Sequence, residues 1–338
     1  MGEQSSRFAA LQWKQMPGNE KNSLRTICLR ILNKNFIMNE IILHEVGPRD
    51  GLQIEEQIVT LELKIKWIEG LINSGIDIIQ LGSFVNPKRV PQMADTEELF
   101  KYFLLPEHRK ETVTFSGLVL NEKGVERGMN CGVELFCMGV SASETHSMKN
   151  TGMTIEEAQK RIIEMAKGVM AAGKNTQVSV QSAFGCGFEG KVPEEKVLGI
   201  VQKYLEAGIK NISLADTAGH ANPFMVEKMI NEIYKLDSTV NIACHFHDTY
   251  AMGLANCYAA MKAGVKLFET SFGGLGGCLF TAVASGNVCT EDFVHMLHRM
   301  NIRKDIDVNI INEISNDACK FFNRELPGVV YKTGEIKY

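Results

Sequence analysis

His245 and His247 flank a single phenylalanine in the run Ala243-Cys244-His245-Phe246-His247-Asp248. In a strand, residues two apart project to the same face, so both imidazoles would point together. Such a pair at the end of a buried strand either finds hydrogen-bond partners or binds a divalent metal, which would satisfy both rings at once. Two other groups carry ligand chemistry: Asp50, in Glu45-Val46-Gly47-Pro48-Arg49-Asp50-Gly51-Leu52-Gln53, and Asn287, in Ala284-Ser285-Gly286-Asn287. One carboxylate, two imidazoles and an amide oxygen make a mixed set that suits Mg²⁺ or Mn²⁺, with Zn²⁺ or Co²⁺ also compatible. A structural zinc would require thiolates or a tight His-Cys set, so this set points to catalysis. Taken alone, Arg49-Asp50-Gly51 also reads as a surface turn.

A third feature is Gly273-Gly274-Leu275-Gly276-Gly277-Cys278. Its backbone amides could cradle a phosphate, but it lacks the Lys and Ser/Thr of a P-loop, which argues against nucleotide hydrolysis. The same glycines could instead make a flap that carries Cys278 over a site. The nine cysteines are odd in number and contain no Cys-x-x-Cys pair. That usage fits reduced thiols and a cytoplasmic enzyme better than a disulfide framework.

These residues need a scaffold, and from Glu40 onward the chain supplies a rhythm of short apolar runs and helical spacing. The runs predict strands at Ile41–Gly47, Asp77–Phe84, Thr112–Val119, Val133–Ser141, Thr176–Phe184, Lys210–Ala215, Asn241–His247 and Val265–Ser271. Between them, helical spacing covers Leu61–Asn73, Thr154–Ala172, Glu194–Ala207 and Pro223–Tyr234. Gly75, Gly173, Gly208 and Gly264 each close such a stretch, as a left-handed helix stop requires. Strand–helix units in series imply parallel strands with right-handed crossovers, and the simplest closure is an α/β (β/α)8 TIM barrel. An open doubly wound sheet would want Gly-x-Gly-x-x-Gly after the first strand, where this chain has Pro48-Arg49-Asp50-Gly51. The expected organisation is an N-terminal extension over 1–37, a catalytic barrel over 38–303, and a C-terminal helix (Asp305–Asn323) and tail over 304–338, the stretch from Glu325 being loop. Chemistry in such a barrel belongs at the C-terminal strand ends, where Arg49, Gln80, Asp216, His245 and the glycine loop all fall.

A net charge of −4 provides no basic surplus for nucleic acid. No apolar run approaches the roughly 20 residues that span a bilayer, so no membrane partner is expected. In the extension, Arg7, Lys14, Lys21, Arg25, Arg30 and Lys34 outnumber Glu3 and Glu20. A mitochondrial presequence is therefore conceivable, but no apolar stretch with a cleavage site accompanies the charges. A loosely ordered extension, or a start upstream of a functional one near Met38, is the expectation.

Taken together, the Gly47-to-Gln53 turn, Ser83-Phe84-Val85-x-Pro87, Pro91-Gln92-Met93, His245-x-His247-Asp248-Thr249-Tyr250, the Gly274-to-Cys278 loop and Ala284-Ser285-Gly286-Asn287 resemble the 3-hydroxy-3-methylglutaryl-CoA lyase family. That family belongs to the metal-dependent TIM-barrel lyases, and the resemblance runs from about Ile41 to Ile302. It implies a divalent cation held by Asp50, His245, His247 and Asn287. Arg49 would bind substrate and stabilise a developing enolate, Cys278 would be the catalytic thiol, and Asp216 and Glu291 would be acidic site residues. Gln53, Gln80, Ser83 and Asn150 would lie against an acyl-CoA substrate, which is cleaved to acetyl-CoA and acetoacetate. A homodimer is also implied.

The resemblance breaks at Gln80, where the family carries Glu, and at Leu279-Phe280, where a Pro-aromatic pair is expected. Gln keeps hydrogen-bonding capacity but loses charge and any base function. The expectation is that Arg49 lacks a charge partner and relaxes. Gln80 also keeps open a related aldolase or an acetyl-CoA condensing enzyme on the same barrel. A catalytically silent barrel predicts a missing metal ligand, and none is missing.

Overall fold

The computed structural model describes residues 40–277, 286–336 and 338. The extension over 1–37, Cys278 and Leu279-Phe280 lie outside the described residues. Eight strands, β1 (Ile42–Glu45), β2 (Ile78–Ser83), β3 (Thr114–Leu118), β4 (Leu135–Ser141), β5 (Asn175–Gln181), β6 (Asn211–Asp216), β7 (Asn241–Phe246) and β8 (Leu267–Thr270), pair in sequence order. Every pairing is parallel, and β1 bonds β8, so the sheet closes into the (β/α)8 barrel that the alternation predicts. Six of the eight predicted runs contain their strand; β5 begins one residue before its predicted run and β6 ends one residue after it.

The intervening helices are α1 (Leu61–Ser74), α2 (Thr96–Phe103), α3 (Glu122–Cys131), α4 (Glu144–Thr151), α5 (Ile155–Ala171), α6 (Glu194–Glu206), α7 (Pro223–Leu236), α8 (Gly253–Lys262) and α9 (Thr290–Arg299). Local chemistry sets their limits. Asn121 and Asn222 accept the amides of Gly124 and Met225, and Thr154 forms a reciprocal capping box with Glu157. Gly75 ends α1 at φ 93° and Gly264 follows α8 at φ 99°, conformations that carry little cost only for glycine. Phe115, Phe136, Phe246, Phe268 and Phe293 are fully buried. Each such side chain contributes about 1.5–3 kcal/mol by leaving water, which keeps the strand ends where the loops need them.

Several strands stop short of their predicted limit, and two of those stops, at β1 and β7, build the site. β1 ends at Glu45 because Val46 O accepts the amides of Arg49, Asp50 and Gly51, which winds Gly47–Gly51 into one wide helical turn. β7 ends at Phe246, and His247 stays extended through a bridge to Asn287. The C-terminal helix α10 (Val308–Phe322) matches the predicted Asp305–Asn323 within its fraying ends. It belongs to the same compact unit as the barrel, Ile41–Tyr338. Its Asp317 accepts hydrogen bonds from Lys66 and Trp67 of α1. The stretch expected to be loop from Glu325 contains a short helix, α11 (Val330–Thr333), because the Asp292 carboxylate accepts the amides of Val329 and Val330 at its start.

Candidate active site

His245 is the fifth residue of β7 and His247 follows the strand, so the predicted common face holds: their Nε2 atoms lie 3.2 Å apart. The helical turn after β1 swings Asp50 to meet them, with Oδ2 3.8 Å from His245 Nε2. Asn287 arrives from the far side on a strap. Val288 N donates to Phe246 O and Ser271 N donates to Val288 O, both at 3.0 Å, so the strap is stitched between the ends of β7 and β8. Asn287 Nδ2 donates to Asp50 Oδ2 at 2.8 Å and to Leu275 O at 3.0 Å. The glycine loop passes close beneath. At Gly276, with φ 104°, a Cβ would strike Asn287 Nδ2 and press on Asp50 O. Here glycine is needed for approach to the site residues themselves.

One ligand atom from each of Asp50, His245 and His247 lies within 4.8 Å of the other two. Asn287 Oδ1 is buried with no hydrogen-bond partner among the described residues. Two imidazoles with converging Nε2 atoms, a carboxylate beside them and an unmatched buried amide oxygen form an arrangement that a divalent cation would complete. Burial opposes charge on Asp50. The opposing influences of Arg49, His245, His247 and the Asn287 amide outweigh it and hold the carboxyl below its usual range.

Arg49 is fixed rather than relaxed. Its Nε donates to Gln80 Oε1 and its Nη1 to Asp50 Oδ1. The expectation that Arg49 would lack a charge partner and relax is thus corrected: Asp50 supplies the opposite charge, and the Gln80 amide oxygen accepts from Nε where a carboxylate would. Arg49, Asp50, His245, His247, Gln53, Gln80 and Asn150 line one cavity at the C-terminal mouth, together with the apolar Leu118, Leu120 and Met138.

Four expected site residues do not line that cavity: Asn287, whose amide is turned to Asp50 and Leu275, and Asp216, Glu291 and Ser83. The Asp216 carboxylate accepts the amides of His220 (2.8 Å) and Ala221 (3.1 Å), and burial lifts its proton affinity to about 7 against those bonds. Glu291 accepts the Gly273 amide on both oxygens, at 3.1 and 3.0 Å, and burial raises it to about 7. The Ser83 hydroxyl is buried beneath the mouth.

Sequence reasoning passed over Glu269 and Gln177. Glu269 Oε2 bonds His245 Nδ1 at 2.8 Å, and its Oε1 accepts from Gln177 Nε2. A Glu inside the apolar run of β8 was the available signal, but its register opposite His245 is a property of the closed sheet. Glu45 was quoted only as part of a motif. It is fully buried, accepts from Gly47 N, Phe272 N and Thr290 Oγ1, and is pushed up to about 8 by burial.

A closed parallel barrel with cation donors converging at its C-terminal mouth defines a metal-dependent TIM-barrel enzyme. The family model described as HMGL-like matches residues 40–318, and the chain belongs to that family of carbon–carbon lyases. It is 37% identical over 267 residues to a hydroxymethylglutaryl-CoA lyase of Bacillus subtilis, covering 79% of this chain and 88% of that one. It is 33% identical over 284 residues to a 3-hydroxy-3-isohexenylglutaryl-CoA/hydroxy-methylglutaryl-CoA lyase of Pseudomonas aeruginosa, covering 83% and 92%. Among solved structures, an HMG-CoA lyase from Acinetobacter baumannii in complex with coenzyme A and 3-methylmalate superposes with TM-score 0.82 at 36% identity, covering 88% of this chain and 96% of that one. These relatives do not favour the aldolase or condensing alternative.

Proposed function

We propose that this chain cleaves a 3-hydroxy-3-methylglutaryl-CoA-like thioester to acetyl-CoA and acetoacetate. The carrying observation is the convergence of Asp50, His245 and His247 beside Arg49 in one cavity, with Asn287 bonded to Asp50 at its edge. In the reaction the tertiary hydroxyl loses its proton and becomes a ketone. The bond between the hydroxyl-bearing carbon and the thioester α-carbon breaks, and its electron pair forms the acetyl-CoA enolate, which then takes up one proton.

A divalent cation at this site supplies Lewis acidity toward the hydroxyl and fixes its orientation. Asp50, His245, His247 and Asn287 are the residues that would hold it. Mg²⁺ or Mn²⁺ is the cation in this reading, because carboxylate and amide oxygens share the set with the imidazoles.

The Arg49 guanidinium, held through Nε by Gln80, presents fixed positive charge where the enolate oxygen develops. The hydroxyl proton is assigned to Asp216 or a histidine of the site; Asp216 lies outside the cavity lining, its carboxylate held by the amides of His220 and Ala221, and Gln80 is excluded because an amide has no base function. Cys278 delivers the proton to the enolate carbon; a thiol with its usual pKa of about 8.5 carries that proton at neutral pH. Glu291 holds Gly273 and so anchors the loop that leads to Cys278. Gln53 and Asn150, which line the cavity, are assigned to contact the acyl-CoA.

The reading extends to a homodimer, as the resemblance implies. It also extends to the cytoplasm, which free buried thiols such as Cys137, Cys244 and Cys257 support. Among the described residues no helix is long and apolar enough to cross a membrane. The test is to measure acetyl-CoA release from hydroxymethylglutaryl-CoA against pyruvate release from hydroxy-oxo acids, with Mg²⁺ or Mn²⁺. Cation-dependent acetyl-CoA release is expected; preferential pyruvate release would overturn the proposal.

A further inference from the structure

We propose that Glu269, oriented by Gln177, is a positioning residue for the cation site: it holds His245 in the ring orientation and tautomer that present the Nε2 lone pair to a divalent cation. The inference rests on the cation-site reading above and adds residues that the family motifs do not contain.

His44, Glu269 and His245 occupy one register row across β1, β8 and β7. All three are buried, and Glu269, Gln177 and His245 lie along the wall of the cavity at the barrel mouth. Its Oε2 lies 2.8 Å from His245 Nδ1. Its Oε1 accepts from Gln177 Nε2, which reaches it from β5. The Gln177 carbonyl oxygen is left buried without a hydrogen-bond partner among the described residues. The amide is thus oriented for the carboxylate at the expense of its own acceptor, which costs about 1–3 kcal/mol and marks the contact as one that the fold maintains. His44 is engaged elsewhere, 2.7 Å from Ser116 Oγ through Nε2.

A carboxylate in this position is an acceptor only. A neutral His245 must then carry its proton on Nδ1, which leaves the Nε2 lone pair facing His247 Nε2 at 3.2 Å and Asp50 Oδ2 at 3.8 Å. Without Glu269 the ring could place its proton on Nε2 and donate it to Asp50, closing the site on itself. Partners of this kind typically change metal affinity about 10–100-fold.

The test uses the full chain with ¹⁵N-labelled histidine, without added cation, at a pH where the ring is neutral. The parent is expected to show His245 protonated on Nδ1. Glu269→Leu should give a mixture or the Nε2-protonated form, and Glu269→Gln an intermediate result. Mn²⁺ titration should show about 10–100-fold weaker binding in Glu269→Leu and a smaller loss in Gln177→Leu. A folded Glu269→Leu with parental tautomer and Mn²⁺ affinity would overturn the proposal. If that variant does not fold, Gln177→Leu decides: parental Mn²⁺ affinity there would overturn it equally. Failure of the cation reading is distinguishable, because His247→Ala would then bind Mn²⁺ like the parent while the tautomer measurement still judges Glu269.

Discussion

The two ends of the barrel both carry a buried arginine–aspartate pair, and they treat it differently. At the N-terminal end of the strands, Arg303 Nη1 donates to Asp77 Oδ2 at 2.6 Å and to Ile41 O at 2.5 Å, while Leu43 N also donates to Asp77 Oδ2. Gly75 O and Asp305 take up the remaining guanidinium donors. Charge there is matched by protein on every side, and its work is to clasp β1 to β2. At the C-terminal end, Arg49 and Asp50 are about equally buried, with side chains 11% and 17% exposed, against 8% and 13% for Arg303 and Asp77. Yet that mouth leaves two imidazole nitrogens face to face and the Asn287 Oδ1 unmatched. Burial alone does not separate a structural ion pair from a working one. Completeness of its hydrogen bonding does, because leaving buried polar atoms unmatched costs stability unless a ligand completes them.

This contrast can be broken by exchanging effects between the two ends. The largest effect is expected at the mouth: Asp50→Ala or His247→Ala should weaken divalent-cation binding by roughly a hundredfold or more and abolish most turnover, with little change in melting temperature. Isothermal titration with Mn²⁺ checks this, and parental affinity in either variant would contradict the ligand assignment. Next comes Cys278→Ala, which should cut turnover by about 10²–10⁴ while Mn²⁺ affinity stays parental. Equal loss of both would remove the proton-donor role. At the clasp, Arg303→Met should destabilise the chain by about 1–3 kcal/mol by taking the charge partner from the part-buried Asp77, with Mn²⁺ affinity unchanged. Urea unfolding decides, and a cation-binding defect there would mean that the two ends are not independent.

Smaller effects sharpen the same comparison. Gln80→Leu removes the acceptor of Arg49 Nε and should lower kcat about tenfold, through loss of about 1–3 kcal/mol of positioning, without altering Mn²⁺ binding. The smallest concerns pH. Glu45 rises from its usual 4.5 to about 8 on folding, so the folded chain holds its proton over a window in which the unfolded chain has lost it. Its stabilising contribution is complete below 4.5 and is lost as pH rises through about 8. Glu45→Gln should therefore flatten the decline of melting temperature between these limits, and an unaltered slope would show that another group sets it.

Much of this mouth was legible in the chain, for reasons that differ residue by residue. The His245–His247 pair could be read because period-two projection is a local property of any strand. The barrel could be read because apolar runs and glycine stops recur in register with helical spacing. Asn287 and Asp50 were legible as donors, but the strap through Val288 that brings Asn287 to His247 depends on pairing across the closed mouth. Glu269 and Gln177 were not legible as a pair, since 92 residues separate them and only closure sets them on facing strands. The bond from Gln80 to Arg49 was missed for another reason: the lost charge drew the reasoning, while the retained acceptor decides the geometry.

The most direct measurement is anomalous diffraction at the manganese edge from crystals grown with Mn²⁺. The account predicts one peak per chain, between Asp50, His245 Nε2, His247 Nε2 and the Asn287 amide oxygen. A peak elsewhere, or none at that mouth with the cation in excess, would contradict it.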